Sequence, residues 1–119
     1  RRDAIKEFDK LSLEQMRKCL RLFGIKADIM SNELVESTLF NIVDKQPKKF
    51  FDKWVDNKSK ETEFILEEAI AKGVIRKDKT HYFYGSDMFA DSLEDAIAYL
   101  DSKKNQDLKL SIINETKNK

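Results

Sequence analysis

The stretch Leu11-Ser12-Leu13-Glu14-Gln15-Met16 decides how the front half of this chain is read. Ser12 stands where a helix N-cap belongs. Its hydroxyl can accept from the backbone of Gln15, the Gln15 side chain can reach back, and Leu11 can staple onto Met16. From there Leu13, Met16, Leu20 and Phe23 recur at helical spacing, with Cys19 beside that stripe. Gly24 sits where a left-handed C-terminal cap belongs, followed by apolar Ile25. The pattern predicts a helix closed at both ends by its own residues.

Outward from that helix, residues 25–30 read as an extended connector. Ser31 then caps a second helix with Leu34, Val35, Leu39, Ile42 and Val43 on its inner side. Gln46-Pro47 restarts the helix, because the N–H that proline lacks would have no partner in a first turn anyway. Phe50, Phe51, Trp54 and Val55 supply two adjacent pairs one turn apart, the most apolar short segment of the chain. Asn57-Lys58-Ser59-Lys60 reads as a polar hinge and cap. It divides the chain into a helical N-terminal lobe, residues 1–57, and a C-terminal lobe, residues 58–119, either separate or parts of one compact domain.

In the second lobe a helix from about Lys60 to Lys72 carries Phe64, Ile65, Ala69 and Ile70 inside and stops at Gly73. Val74-Ile75-Arg76 and Thr80-His81-Tyr82-Phe83-Tyr84 are β-prone runs around the turn Lys77-Asp78-Lys79, which reads as one hairpin. Gly85-Ser86-Asp87 breaks it, and Met88-Phe89-Ala90 is an apolar return segment. Asp91 with Glu94, or Ser92 with Asp95, caps a helix bearing Leu93, Ala96, Ile97 and Leu100. Asn105 caps a final helix with Leu108, Ile112 and Ile113, and the polar tail Asn114–Lys119 is expected to fray.

Composition agrees with a thin, helix-rich protein. The 119 residues are 40% apolar and 38% charged, against norms of about 45–50% and about 25%. Three Gly and one Pro are too few turn-formers for a many-turned sandwich or barrel. Eight Phe, three Tyr and one Trp are too many aromatics for a disordered chain. The net charge of +1 hides a polarity. Residues 1–60 hold fourteen Lys and Arg against ten Asp and Glu, and residues 61–119 hold nine against twelve.

Reactive chemistry is thinly supplied. His81, the only histidine, lies within a predicted strand, and Cys19 is the only cysteine. Together they fall short of the three or four ligands that zinc takes. Neighbouring carboxylates such as Glu67-Glu68 and Glu94-Asp95 point about 100° apart on a helix, and no glycine-rich phosphate loop appears. The chain is therefore expected not to be an enzyme, with no cofactor and no metal. Cys19 reads as a small buried apolar group, or as a thiol activated by Arg17, Lys18 and Arg21. One cysteine fits a reducing compartment. No apolar run approaches the roughly 18–20 residues that cross a bilayer, and none follows Arg1-Arg2 as an export signal would require. The expected setting is the cytoplasm or a virion, without secretion and without a membrane partner.

Two basic patches stand out: Arg17, Lys18 and Arg21 on the first helix, and Lys45, Lys48, Lys49 and Lys53 around Pro47. Either could line phosphates, or form the solvated face of a helix with pairs such as Glu14–Lys18. Among the aromatics, Tyr82 and Tyr84 share one face of their strand while His81 and Phe83 share the other. Phe83 is expected to be the core anchor, leaving Tyr82 and Tyr84 to stack on bases, to meet a partner chain or, most commonly for such residues, to cover the helix beneath them. Phe50, Phe51 and Trp54 are larger than a thin core readily absorbs and are candidate partner contacts too.

Residues 11–43, through Leu13, Met16, Leu20, Gly24, Leu34 and Leu39, resemble the helix-extension-helix modules of the SAP and Rho N-terminal type. That resemblance implies nucleic-acid binding through a basic, glycine-bearing start to the second helix. Here the start is Ile29-Met30-Ser31-Asn32-Glu33, with neither glycine nor lysine. Residues 64–110 resemble winged-helix pieces. They are also similar to small domains of large tailed-phage proteins, through Gly73-Val74-Ile75, Tyr82-Phe83-Tyr84 and Asn105-Gln106. The fold expected is mainly α, about six short helices with one β-hairpin: a helix-extension-helix lobe, then a winged-helix-like lobe. The function expected is a non-catalytic docking or assembly module within a larger complex, a phage virion component being one case. The alternative is a nucleic-acid-binding module using the basic N-terminal half.

Overall fold

The computed structural model describes residues 2–119, and among them seven α-helices and one three-stranded antiparallel sheet follow one another. The chain falls into two compact units, the first closing at Lys60 and the second opening at Glu61.

The first unit begins with a helix that the sequence analysis leaves out, α1 (Ala4–Asp9). The Asp3 carboxylate caps it, accepting from the backbone N–H groups of Ile5 at 3.0 Å and Lys6 at 3.4 Å. Ala4 and Phe8, four residues apart, are its buried side. The next helix, α2 (Leu13–Leu22), carries the capping box read from Ser12. The Gln15 N–H donates to Ser12 Oγ at 3.1 Å, and the Ser12 N–H donates to Gln15 Oε1 at 2.9 Å. At its far end the Gly24 N–H donates to the Arg21 carbonyl at 2.9 Å and the Ile25 N–H to the Leu20 carbonyl at 3.0 Å. This paired closure needs a left-handed residue between the two donors' partners and the onward chain. Gly24, with φ of +82°, is that residue.

The connector after Gly24 is not wholly extended, since Ala27–Ile29 forms a 3-10 turn. Helix α3 (Asn32–Lys45) then starts from Ser31, whose hydroxyl accepts from the Leu34 N–H at 3.2 Å. Its buried side is Val35, Leu39 and Val43, a narrower stripe than the sequence suggests. Leu34, expected inside, is 49% exposed. Pro47 opens a single turn, α4 (Pro47–Phe50), which runs straight into a π-helical segment, Phe51–Val55. There the Asp56 N–H reaches back five residues to the Phe51 carbonyl at 2.8 Å. The wider turn brings residues four apart closer to one line along the helix. Phe50 and Trp54 are both buried.

In the second unit α5 (Lys60–Ala71) ends by the same device as α2. The Gly73 N–H donates to the Ile70 carbonyl at 3.1 Å and the Val74 N–H to the Ala69 carbonyl at 2.8 Å. The expected hairpin is present as β1 (Ile75–Asp78) and β2 (His81–Tyr84), and the apolar return segment adds a third strand, β3 (Asp87–Ala90). Ile75 pairs with Tyr84 and Lys77 with Tyr82. Directly paired residues of antiparallel strands share a face, so both tyrosines stand on the face of Ile75, which is buried. Tyr82 is thus the core anchor and Phe83, expected in that role, lies on the other face. There the Arg76 guanidinium covers the Phe83 ring at 4.0 Å.

Ser92 caps α6 (Leu93–Asp101), accepting from the Asp95 N–H at 3.1 Å. Asn105, expected to cap α7 (Gln106–Lys117), makes no cap hydrogen bond; its side-chain amide donates to the Tyr99 carbonyl at 2.9 Å. The tail expected to fray stays helical as far as Lys117, anchored one turn earlier by buried Ile112. A polar clamp joins α5, α6 and α7. The Thr62 hydroxyl donates to Asp101 Oδ1 at 2.6 Å, and Lys109 Nζ donates to both, at 3.2 Å to Asp101 and 3.3 Å to Thr62. The core of this unit is Leu66, Ala69, Val74, Ile75, Tyr82, Ala90, Ala96, Leu100 and Ile112.

Candidate functional site

Three of the five aromatic candidates do not offer themselves to a partner. Phe50 is 0% exposed, Trp54 3% and Tyr82 2%. Burying an aromatic ring is the larger gain for each, and the π-helical turn and the strand register supply the geometry. Lys60 Nζ lies over the Trp54 ring at 4.9 Å and donates to the Trp54 carbonyl at 3.3 Å. Phe51 is half-buried beneath the guanidinium of Arg2, 4.1 Å from its centroid. Tyr84 is half-buried and its hydroxyl donates to the Glu115 carboxylate. That bond, with burial second, holds the phenol above its usual value of 10.0. None of the five stands as a bare surface aromatic.

The basic candidates are also reassigned. Arg17 donates to the carbonyls of Ala27 and Met30, the latter at 3.0 Å, and to Asn32 Oδ1 at 2.8 Å. It therefore ties α2 to the connector and to the first residue of α3. Arg21 is buried, with Asp28 3.7 Å away. Lys18 lies 3.9 Å from Glu14, one turn earlier on the same helix. The first patch is thus a structural set, and its charges are turned inward or paired. In the second patch Lys48 pairs with Asp52 at 2.8 Å, a hydrogen bond that keeps its ammonium above the usual 10.5. Lys53 is half-buried, its Nζ 5.8 Å over the Phe23 ring. Lys45 and Lys49 are exposed, and of the seven they alone keep a fully outward, unpaired character among the described residues.

Cys19 is completely buried, and desolvation pushes its thiol up to about 12, against a smaller opposing pull from Lys60. The reading as a small apolar core group describes it; the activated thiol does not. Among the described residues no three of His, Cys, Asp and Glu stand together as a metal would need, and no helix is long and apolar enough to cross a membrane.

The surface that does combine exposure with apolar character was not singled out from the sequence. A shallow groove on the first unit is lined by Phe8 of α1, Leu13 of α2 and a row on α3 made of Asn32, Glu33, Glu36, Ser37, Phe40 and Asn41. Phe8 is buried beneath it, while Phe40 is 40% and Leu13 37% exposed. The two phenylalanines meet edge to face, centroids 5.7 Å apart. The signal in the sequence is an apolar stripe on α3 that is too wide: Leu34, Val35, Leu39, Phe40, Ile42 and Val43 exceed the one face that its neighbours cover. The lining contains two carboxylates and no cation, within the half of the chain that carries an excess of Lys and Arg. No family model, curated protein or solved structure matches the chain.

Proposed function

We propose that this chain is a non-catalytic docking module, and that the Phe8–Leu13–Phe40 groove is where a partner protein seats. The observation that supports the reading is Phe40 itself. A large aromatic ring on the outer row of a well-capped helix stays 40% exposed, next to Leu13 and over a buried Phe8. Grouped apolar side chains that remain open to water mark interaction surfaces more often than single ones do. Aromatic anchors set in a polar rim are the usual carriers of binding energy.

The test compares wild type with Phe40→Asp as bait in lysate of the native source, washed at about 0.5 M salt, where exposed charges are strongly screened. A protein retained by wild type and absent with Phe40→Asp supports the reading. The same proteins on both baits, or nucleic acid that washes away with salt, contradicts it.

A second reading, nucleic-acid binding, has the exposed Lys45 and Lys49 beside Pro47 in its favour, with Lys48 available if it leaves Asp52. Each neutralised phosphate contributes about −0.9 to the slope of log K against log salt. Two or three lysines therefore support only a slope of about −2 to −3, that of a weak contact.

A further inference from the structure

We infer that the occupant of the Phe8–Leu13–Phe40 groove is a short amphipathic segment whose apolar side chains are flanked by Lys or Arg. This rests on the docking reading and adds the chemistry of the partner to it.

The apolar part follows from the lining. Phe8, Leu13 and Phe40 contribute carbon surface, and an apolar side chain laid over them removes water from both partners. The charge follows from what surrounds that surface. Glu33 and Glu36 stand one turn apart on α3 and both line the groove, with Asn32, Ser37 and Asn41 as the only other polar lining. Both carboxylates are exposed, and no Lys or Arg lines the groove to neutralise them. Lys10, the residue that follows α1, is already 3.0 Å from Glu7, and the Arg17 guanidinium, which reaches the lining Asn32 at 2.8 Å, is held there by the carbonyls of Ala27 and Met30. Acidic residues in the first turns of a helix are favoured by its dipole, and that accounts for Glu33. Glu36 lies beyond the first turn and has no such reason. An acidic partner segment would meet two exposed carboxylates; a basic one meets complementary charge at both.

A second copy of this chain is the weaker occupant. Of its other exposed large apolar residues, Ile29, Leu34, Met88 and Leu93 each have an acidic residue next to them in sequence (Asp28, Glu33, Asp87 and Glu94), and Leu110 has Gln106, Asp107, Ile113 and Asn114 one turn away on α7. Lys109, the cation beside Leu110, is already 3.2 Å from Asp101, so these surfaces bring no free cation to Glu33 and Glu36.

The experiment selects a displayed library of random dodecapeptides on the immobilised full chain, with counter-selection on Phe40→Asp. Circular dichroism of that variant checks that it keeps its helices; if it does not, Phe40→Ser replaces it. Enriched peptides are expected to combine apolar residues with a net positive charge. Their affinity should fall about fivefold at low salt on Glu33→Lys/Glu36→Lys, as two exposed ion pairs allow, and return when Lys in the peptide becomes Glu. Groove-dependent peptides that are neutral or acidic would overturn the basic partner while leaving the docking reading standing. No groove-dependent enrichment would overturn both. Self-association of the chain that masks the groove and is lost with Phe40→Asp would replace the basic segment by a second copy.

Discussion

Phe8 and Phe40 meet edge to face with centroids 5.7 Å apart, yet one ring is buried and the other is 40% open to water. The pair therefore has two duties. Phe8 fastens the short α1 to α3, and Phe40 presents its remaining surface outward. A six-residue helix is far below the length at which helices hold alone, so α1 persists only because Asp3 caps it and Phe8 packs.

The two truncations should separate these duties. Phe8→Ala is expected to cost about 3–5 kcal/mol, the range for a buried phenylalanine. Phe40→Ala should cost about 1–2 kcal/mol, since the ring is already 40% exposed and the aromatic pair adds about 0.5–1.5 kcal/mol. Urea denaturation of both variants measures the difference; equal losses would show that Phe40 is a core residue.

Strand β2 offers a second contrast. Tyr82 is buried and Phe83 lies on the opposite face under Arg76. Tyr82→Ala should cost about 3–5 kcal/mol and Phe83→Ala about 1 kcal/mol, with the stacked guanidinium released. The reverse order would mean that the strand faces the other way. This inversion shows what alternation alone leaves open. Period-two spacing groups Tyr82 with Tyr84, but only the pairing of Ile75 with Tyr84 says which group is inside.

The Arg2–Asp56 pair, 2.7 Å between Nη1 and Oδ2, gives a pH dependence with a definite sign. The hydrogen bond from Arg2, ahead of its charge, holds the Asp56 carboxyl below its usual value of 3.8. A carboxyl lowered in the folded state adds stability above the unfolded value and loses it as pH falls through the folded one. Asp56→Asn should therefore melt below wild type at pH 7, and the two curves should converge once the pH has fallen through the lowered value of the folded carboxyl. A gap that persists in acid would assign the effect to the Phe51 ring under Arg2 rather than to the ion pair.

Cys19, fully buried with its thiol pushed up to about 12, should not react with a thiol reagent at pH 7–8 in the native protein. It should react at once in denaturant, since the thiolate is the nucleophile. Rapid labelling of the folded chain would contradict the burial.

Much of the fold was legible where one residue type has one physical job. Ser12 with Gln15, Gly24, Ser31 and Gly73 each mark a helix end by a hydrogen bond that can be named from sequence, and Pro47 marks a helix start by the N–H it lacks. The remainder depended on distant partners. Met88–Ala90 became a strand because β2 had a free edge. Arg17 became a tie because three acceptors came to lie around it. The candidate site was least legible. A long aromatic list pointed to Phe50, Trp54 and Tyr82, whose burial depends on helix pitch and strand register. Phe40 lies next to Leu39 but outside the inner side read for α3, and only the packing of α1 and α2 decides that it lines a groove and stays partly open.

The most direct measurement of the account is a backbone-amide chemical-shift map of the full chain titrated with the partner captured from lysate, or with the most enriched peptide. The account predicts that the largest changes fall at Phe8, Leu13, Glu33, Glu36 and Phe40, and that Phe40→Asp abolishes them. Changes centred on Lys45, Lys48 and Lys49, with the groove silent, would contradict it.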